Sequence, residues 1–414
     1  MVHSSWFIVT GGKTMNYQLL TMDTHPNKLS FENTEIAFRH CSNAALNRAY
    51  WLFRIININF LVRIGPPITN FAIKIGLPVK GLIKATIFKH FCGGETIREC
   101  EQTIQSLDAG GVGTILDYSI EGEEDEQVFD DTCDEIIRTI KRAAKEKAIP
   151  ITVFKVTGVG RFSLLEKLDA GISLTDAEEQ EWQKVQNRVL AICEKGYENG
   201  IPVMIDAEET WIQDTIDLLA LNMMRRFNKE KAIIYNTYQL YRHDKLQSLK
   251  NDYGVAIKEG FILGAKLVRG AYMEKERKRA AEKGCPSPIQ PDKQAADKDY
   301  DAALDFCTDH IAQIAFVAGT HNEDSCRLLT ELLIKNNIDP TNPHVYFSQL
   351  LGMSDNLSFN LADAGYNVAK YVPYGPIKAV LPYLFRRAQE NTAIAGQMSR
   401  ELGLIVKERK RRRL

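Results

Sequence analysis

The chain has 414 residues, 44% of them hydrophobic and 25% charged, with a formal net charge of -1. That is a globular composition, with room for one large domain and an appendage or for two domains, and it lacks the basic excess that binders of a nucleic-acid backbone need. The opening Met1-Val-His-Ser-Ser-Trp-Phe has no charged segment before a long apolar run, and no stretch offers about twenty apolar residues free of charge, so neither a secretory signal nor a membrane span is expected.

Residues 1 to about 35 are mixed and polar and read as loosely ordered or draped on the body. Between Ile36 and Gly94 there is no Asp or Glu, while Arg39, Arg48, Arg54, Arg63, Lys74, Lys80, Lys84 and Lys89 recur among Trp51, Phe53, Ile55, Phe60, Val62, Phe71 and Ile87. This basic, apolar-striped segment, residues 1–94, reads as a largely helical arm that either packs on the body or lies on an anionic membrane surface.

From about residue 95 the pattern becomes short apolar runs alternating with amphipathic helices. The strands are read as Val112–Tyr118, Ile151–Val156, Val203–Glu208, Ala232–Thr237, Gly264–Arg269, Ile314–Thr320, Val345–Leu350 and Val368–Val372. Helical patterns follow, among them Asp130 to Lys147 and Ser325 to Lys335; Asp176 to Arg188 lies in the long excursion after strand two, and Gly284 to Asp292 is a Pro-rich loop. Eight βα units in about 300 residues fit a distorted (β/α)8 TIM barrel, α/β in class, better than a doubly wound sheet, because no G-x-G-x-x-G turn follows the first strand. Gly110-Gly-Val-Gly113 precedes a strand and reads as a tight turn. Eight cysteines lie scattered without CxxC pairs and read as buried hydrophobes of a reducing compartment. The basic Lys407-Glu-Arg-Lys-Arg-Arg-Arg-Leu414, in a tail taken as 396–414, reads as disordered and solvated, or as a further contact with anionic lipid.

A barrel collects its chemistry at the strand C-termini. There the sequence puts Lys155, Asp206-Ala-Glu-Glu209, Asn236, Lys266-Leu-Val-Arg-Gly-Ala-Tyr272, Thr320-His-Asn322, Gln349 and Tyr371. Polar groups at the same end of so many apolar runs are costly unless they converge on a ligand. Asp206, Glu208, Glu209 and His321 form a weak ligand set that Lys155, Lys266 and Arg269 would oppose, so no metal is expected. No G-x-S-x-G elbow is present, and a Schiff-base lysine at Lys155 or Lys266 is physically possible. Near the C-terminus, Leu381-Pro-Tyr-Leu-Phe-Arg-Arg-Ala-Gln-Glu-Asn391 is the most distinctive stretch. As a helix with Pro382 in its first turn, it lays Tyr383, Arg386, Arg387 and Glu390 on one face. That face is either solvated, with an Arg386 to Glu390 pair, or a rigid fork for a small carboxylate or phosphate. Cations, tyrosines and a Gly-Ala turn together suit a bulky anionic cofactor plus a small carboxylate.

Lys266-Leu-Val-Arg-Gly-Ala-Tyr-Met273, taken in order with Asp206-Ala-Glu-Glu209, Thr320-His-Asn-Glu323, Gln349-Leu-Leu-Gly-Met353, Tyr371-Val-Pro-Tyr-Gly375 and the Tyr383 to Asn391 stretch, resembles the proline dehydrogenase family over residues 95–395. The resemblance implies FAD held non-covalently at the strand ends. It also implies oxidation of L-proline to Δ1-pyrroline-5-carboxylate, by hydride transfer from C5 to the flavin N5, with electrons passed to a membrane quinone. It assigns Asp206 and Lys266 to catalysis, Arg386 and Arg387 to the substrate carboxylate, Lys155 to a place near substrate and flavin, and Glu390 to holding the arginines. Tyr272, Leu350, Tyr371 and Tyr383 would wall the ring, and Ala207, Asn236, Arg269, Gly270, Ala271, Thr320 and His321 would touch the flavin. Many bacterial members carry Arg then Lys where this chain has Lys266 then Arg269, and Gln where it has Asn236; the form here resembles the mitochondrial-type branch and the single-function enzymes. Localisation would be peripheral to the inner membrane, on the cytoplasmic side in a bacterium or in the mitochondrion of a eukaryote. The hydroxyproline-oxidising relatives are an alternative, disfavoured because they tend to carry a small residue where Tyr371 stands. A non-catalytic barrel that binds a carboxylate is another.

Overall fold

The computed structural model describes residues 29–56, 80–120, 124–393 and 395–414. Eight strands, β1 Gly113–Tyr118, β2 Ile151–Phe154, β3 Val203–Ile205, β4 Ile234–Gln239, β5 Leu263–Val268, β6 Ile314–Gly319, β7 Val345–Leu350 and β8 Val368–Tyr374, pair in parallel and in chain order. β8 closes on β1, with Ile115 opposite Tyr371, so the sheet is a complete barrel. All eight strands read from the sequence are present, and the (β/α)8 class holds.

The runs are apolar because parallel strands are covered on both faces. Ile115, Ile151, Val153, Met204, Tyr235, Ala315, Val317 and Ala369 fill the lumen, while Leu116, Phe154, Ile205, Ile234, Leu267, Phe316 and Phe347 pack outward under the helices. The predicted turn before β1 also forms. Gly111 sits at φ +73, and a Cβ on Gly110 would fall 2.4 Å from the Phe359 ring.

Seven helices matter for the site. They are α1 Thr34–Phe38, α2 Asn43–Ile56, α3 Thr210–Phe227, α4 Glu323–Lys335, α5 Asp355–Asp363, α6 Ile377–Ala393 and α7 Ala395–Arg411. A second apolar cluster outside the barrel joins four of them: Phe38, Leu46 and Phe53 from α1 and α2 meet Val380 and Leu384 of α6 and Leu404 and Ile405 of α7. The described part of the N-terminal arm therefore packs on the body. Phe60, Val62, Arg63, Phe71 and Lys74, like the first 28 residues, lie outside the described residues.

Two readings are corrected. The C-terminal run is not a solvated tail, because α7 packs on α1 and α2. Glu408 is fully buried and accepts from Arg411 and Arg412, and Arg412 donates to the carbonyls of Cys41 and Phe38 at 2.7 and 2.6 Å. Pro382 is not in a first turn either. α6 starts at Ile377, where the Ala379 and Val380 amides already bond the Pro376 carbonyl, so Pro382 falls one turn later, inside the helix. Of the eight cysteines, six are buried, and all are unbridged.

Candidate active site

The C-terminal ends of the strands open into a cavity of about 1090 Å³, roofed on one side by Pro382, Tyr383, Arg386 and Arg387 of α6. The pleat decides who enters it: residues at alternate positions along each strand point into the lumen, so inward residues near the C-terminal end of a strand reach the mouth. Asp117, Lys155, Asp206, Lys266 and Tyr371 arrive in this way from five strands or the residues directly after them.

Asp206 is the hub. Its carboxylate accepts from Lys155 Nζ at 2.9 Å, from Lys266 Nζ at 2.6 Å and from the Tyr371 hydroxyl at 2.9 Å, while Lys266 also reaches Tyr371 Oη at 2.5 Å. Burial alone would raise the Asp206 pKa, but the two ammoniums outweigh it and hold the carboxyl well below the usual range. Burial works the other way on Lys266, drawing it below its ordinary value against the pull of Asp206. Burial, reinforced by Asp206, keeps the Tyr371 phenol protonated.

Beside this hub, Glu208 is buried and takes hydrogen bonds from the Thr157 amide and hydroxyl; burial pushes its carboxyl up to about 8, so it is neutral at pH 7. Glu209 is paired with Lys275. At the far side Arg269 is locked by Asp297 at 2.6 Å, Thr320 Oγ1 at 2.9 Å and Ser325 Oγ at 3.0 Å, with its guanidinium 4.4 Å from the Tyr300 ring centroid. Gly270 follows at φ +137, a backbone conformation open to glycine, and a Cβ there would fall 2.4 Å from the Tyr241 ring. The Arg387 guanidinium lies 5.4 Å from the Tyr383 ring centroid. Among the described residues the wall carries eight lysines and arginines against six carboxylates, one of them the neutral Glu208, so the cavity is cationic.

Residues 100–400 match the family model described as proline dehydrogenase. The chain belongs to the proline dehydrogenase family. A mitochondrial proline dehydrogenase 1 of Dictyostelium discoideum is 36% identical over 93% of this chain and 75% of its own length. The mitochondrial proline dehydrogenase 1 of Homo sapiens is 43% identical over 58% of this chain and 40% of its own. Among solved structures, proline utilization A from Bdellovibrio bacteriovorus, inactivated by N-propargylglycine, superposes with a TM-score of 0.68 at 19% identity, covering 86% of this chain and 38% of that one. That last likeness is one of fold.

As a proline dehydrogenase, the chain is an oxidoreductase acting on proline, and most residues named from its sequence meet in one place. Asp206, Lys266, Lys155, Tyr272, Leu350, Tyr371, Tyr383, Arg386 and Arg387 line the cavity, as do Ala207, Arg269, Gly270, Ala271, Thr320 and His321. The Glu390 side chain lies outside the described residues. Asn236 does not reach the cavity. Its side chain points behind the barrel and donates to Asp217 of α3 at 2.9 Å, in a buried knot with Gln213 and Lys245. β4 runs on to Gln239, two residues beyond the Thr237 end read from the sequence, and Asn236, an odd three positions before Gln239, faces the other side of the sheet. Gln239 is the residue β4 contributes to the cavity wall, together with Thr237. It donates to the Glu208 carbonyl at 3.1 Å, while its own side-chain oxygen is buried with no partner among the described residues. Thr157, after β2, is a further site residue that sequence reasoning missed; the signal available was a threonine two residues past Lys155.

Proposed function

We propose that the cavity holds FAD non-covalently and that the enzyme oxidises L-proline to Δ1-pyrroline-5-carboxylate, delivering the electrons to a membrane quinone. The observation that carries this reading is the placement of the Arg386 and Arg387 pair across one cavity from the Asp206, Lys155, Lys266 and Tyr371 cluster. The fit to a flavin rests on three features. The volume lies just above the range of about 300–1,000 Å³ for drug-sized ligands, far beyond the needs of one imino acid. The buried Gln239 oxygen is an acceptor awaiting an N–H, and Gly270 leaves backbone open for close approach. Arg269 and Lys293, both tied to Asp297, give that end of the cavity fixed positive charge suited to a pyrophosphate.

In this reading the two guanidiniums take the proline carboxylate and fix the ring, with Tyr383 and Leu350 as apolar walls that exclude water. C5 gives up its hydrogen with the bonding pair while the ring-nitrogen lone pair closes the C5=N bond, so the nitrogen must first lose its second proton. Lys266, whose pKa burial lowers, is the member of the cluster suited to take that proton once its own has left, while Asp206, held ionised, and Tyr371, held protonated, orient it through hydrogen bonds of 2.5–2.9 Å. When bound, the flavin supplies the two-electron acceptor. Lys155 and Lys266 favour negative charge on the reduced cofactor.

Tyr371 argues for proline over hydroxyproline. Its ring is buried and its hydroxyl is tied to Asp206 and Lys266, so it leaves no room for an added substituent on the side it occupies. A kcat/KM ratio that favours hydroxyproline would overturn this. Among the described residues no helix is long and apolar enough to cross a membrane, and quinone reduction calls for peripheral contact with the inner membrane, as the mitochondrial relatives' names suggest for a eukaryotic chain.

The deciding experiment is an absorption spectrum of the purified protein before and after anaerobic addition of L-proline, without NAD. The expected result is a yellow protein that bleaches. A preparation that stays colourless after supplementation with FAD, or a yellow one indifferent to proline, removes the reading.

A further inference from the structure

Helix α7 touches the cavity loops through two adjacent residues. Arg400 pairs with Glu323, at the start of α4 and two residues beyond His321. Glu401 accepts a hydrogen bond from the Ser354 amide, and the Ser354 hydroxyl bonds to it as well. The same hydroxyl oxygen stands 2.9 Å from His321 Nδ1, and His321 lines the cavity. Ser354 itself is held at φ +51, ψ 43, a left-handed conformation that is unfavourable for a non-glycine residue. The turn is kept in that conformation with its hydroxyl between the carboxyl and the imidazole.

We propose that Glu401 is a positioning residue for the cavity: through Ser354 it sets which nitrogen of His321 carries the proton, and so whether Nε2 is a donor or an acceptor. The inference rests on the reading that His321 contacts the cofactor. A buried carboxyl close to a second one, Asp355, is an expensive cap for a single amide, since a glutamine would serve as well without an ionisable group.

The polarity of the chain follows from counting protons. With Glu401 ionised, both the Ser354 amide and its hydroxyl donate to the carboxylate. The Ser354 oxygen then accepts from Nδ1–H, which leaves Nε2 an acceptor. With Glu401 protonated, the acid donates to Ser354 Oγ, the hydroxyl turns its proton toward Nδ1, and the imidazole proton resides on Nε2. The ring is neutral in both arrangements, because burial, then Lys370 and Arg387, push its pKa down to about 3.

Among the described groups around it, Glu401 is the one to titrate near neutrality. Burial and Asp355 push it up to about 7. Asp355 on α5 and Lys370 on β8 are paired at 2.9 Å, with Lys370 holding the Asp355 carboxyl low against its burial. His40 and His90, beyond Asp355, are both held below their ordinary value by burial.

The test is nitrogen NMR of the intact protein labelled with ¹⁵N-histidine, with His321 assigned by H321Q and followed from about pH 5.5 to 8.5. In the wild type the protonated-type and unprotonated-type ring resonances of His321 should exchange places across this range. In E401Q the amide mimics the protonated acid, so His321 should stay Nε2–H throughout. S354G removes the hydroxyl and relaxes the left-handed backbone, so it folds and should leave His321 indifferent to Glu401. A wild-type His321 that keeps one tautomer, or an E401Q profile matching the wild type, overturns the proposal. The flavin content of the same samples separates the two readings. A colourless protein whose His321 still follows Glu401 keeps the relay and retires the flavin, whereas a yellow one with an unresponsive His321 retires the relay alone.

Discussion

Lys370 and Tyr371 are neighbours on β8, and the pleat sends one outward and the other into the lumen. Each belongs to a buried charged cluster. Outside, Lys370 is completely buried and gives its three protons to Asp355 at 2.9 Å and to the Met353 and Leu350 carbonyls at 2.6 and 3.2 Å. The account closes: one cation, one anion, each proton received. Inside, Lys155, Lys266 and Tyr371 converge on Asp206, with Asp117 3.9 Å from Lys155 and with Arg386 and Arg387 on the helix above. Among the described residues, four cations there face the two carboxylates of Asp117 and Asp206, a surplus of positive charge. A balanced cluster has nothing left to offer a ligand, whereas an unbalanced one is stabilised by an incoming anion.

The sharpest way to separate the two is to remove one cation from each. Lys370→Met strands Asp355 and two carbonyls in an interior site and should cost roughly 3–5 kcal/mol of stability. The proline KM of whatever remains folded should be unchanged; denaturant unfolding and steady-state kinetics read the two quantities. Arg386→Met removes charge from the side that has too much. It should weaken proline binding by about 2–4 kcal/mol, seen as a large rise in KM, while unfolding shifts little and flavin is retained. If both variants lost stability and affinity alike, the distinction between a structural and a ligand-binding cluster would be empty.

How much of this is readable from sequence depends on whether the partners are local. The eight strands stand out because their inward and outward faces are both apolar, and the helix fork at Tyr383, Arg386 and Arg387 because 3.6-residue periodicity is a property of the segment itself. Asn236 misleads because Asn236-Thr-Tyr-Gln239 is polar enough to look like a strand end, although the pairing with β5 continues through Gln239 to Val268. Nothing in the segment says that a neighbouring strand carries the ladder on. The basic C-terminus misleads for the same reason. Arg412 spends its donors on the carbonyls of Phe38 and Cys41, partners more than 350 residues away that no charge count reveals.

Glu208 tests the cavity floor from the acid side. An acid whose folded pKa is raised from 4.5 to about 8 stabilises the fold fully below pH 4.5 and loses that contribution as pH climbs through 8. The wild type should therefore lose stability between about pH 5 and 8.5, by up to a few kcal/mol, because each tenfold change in a proton-binding equilibrium is worth about 1.4 kcal/mol. Glu208→Gln, with no proton to lose, should lose less over the same interval. Equal pH slopes in thermal unfolding would mean that Glu208 is already ionised at pH 5.

The smallest effect is expected on the exposed face of α2, where nothing is enclosed. On α2, Trp51 and Ile55 are 58% and 51% exposed, and Arg54 lies beside them with its guanidinium 5.5 Å from the Trp51 ring and a hydrogen bond to Tyr50 at 3.1 Å. Trp51→Ser forfeits a solvent-screened cation–π contact and little else, so unfolding should move by under about 1 kcal/mol. An indole and an isoleucine standing in water beside an arginine have more to gain from a lipid headgroup region than from the fold. Binding to vesicles containing anionic lipid should accordingly drop several-fold in Trp51→Ser while stability and proline turnover with a soluble acceptor hold. Unchanged vesicle binding would move the membrane contact off α2, and leave the surplus charge of the cavity as the one cationic feature with an assigned task.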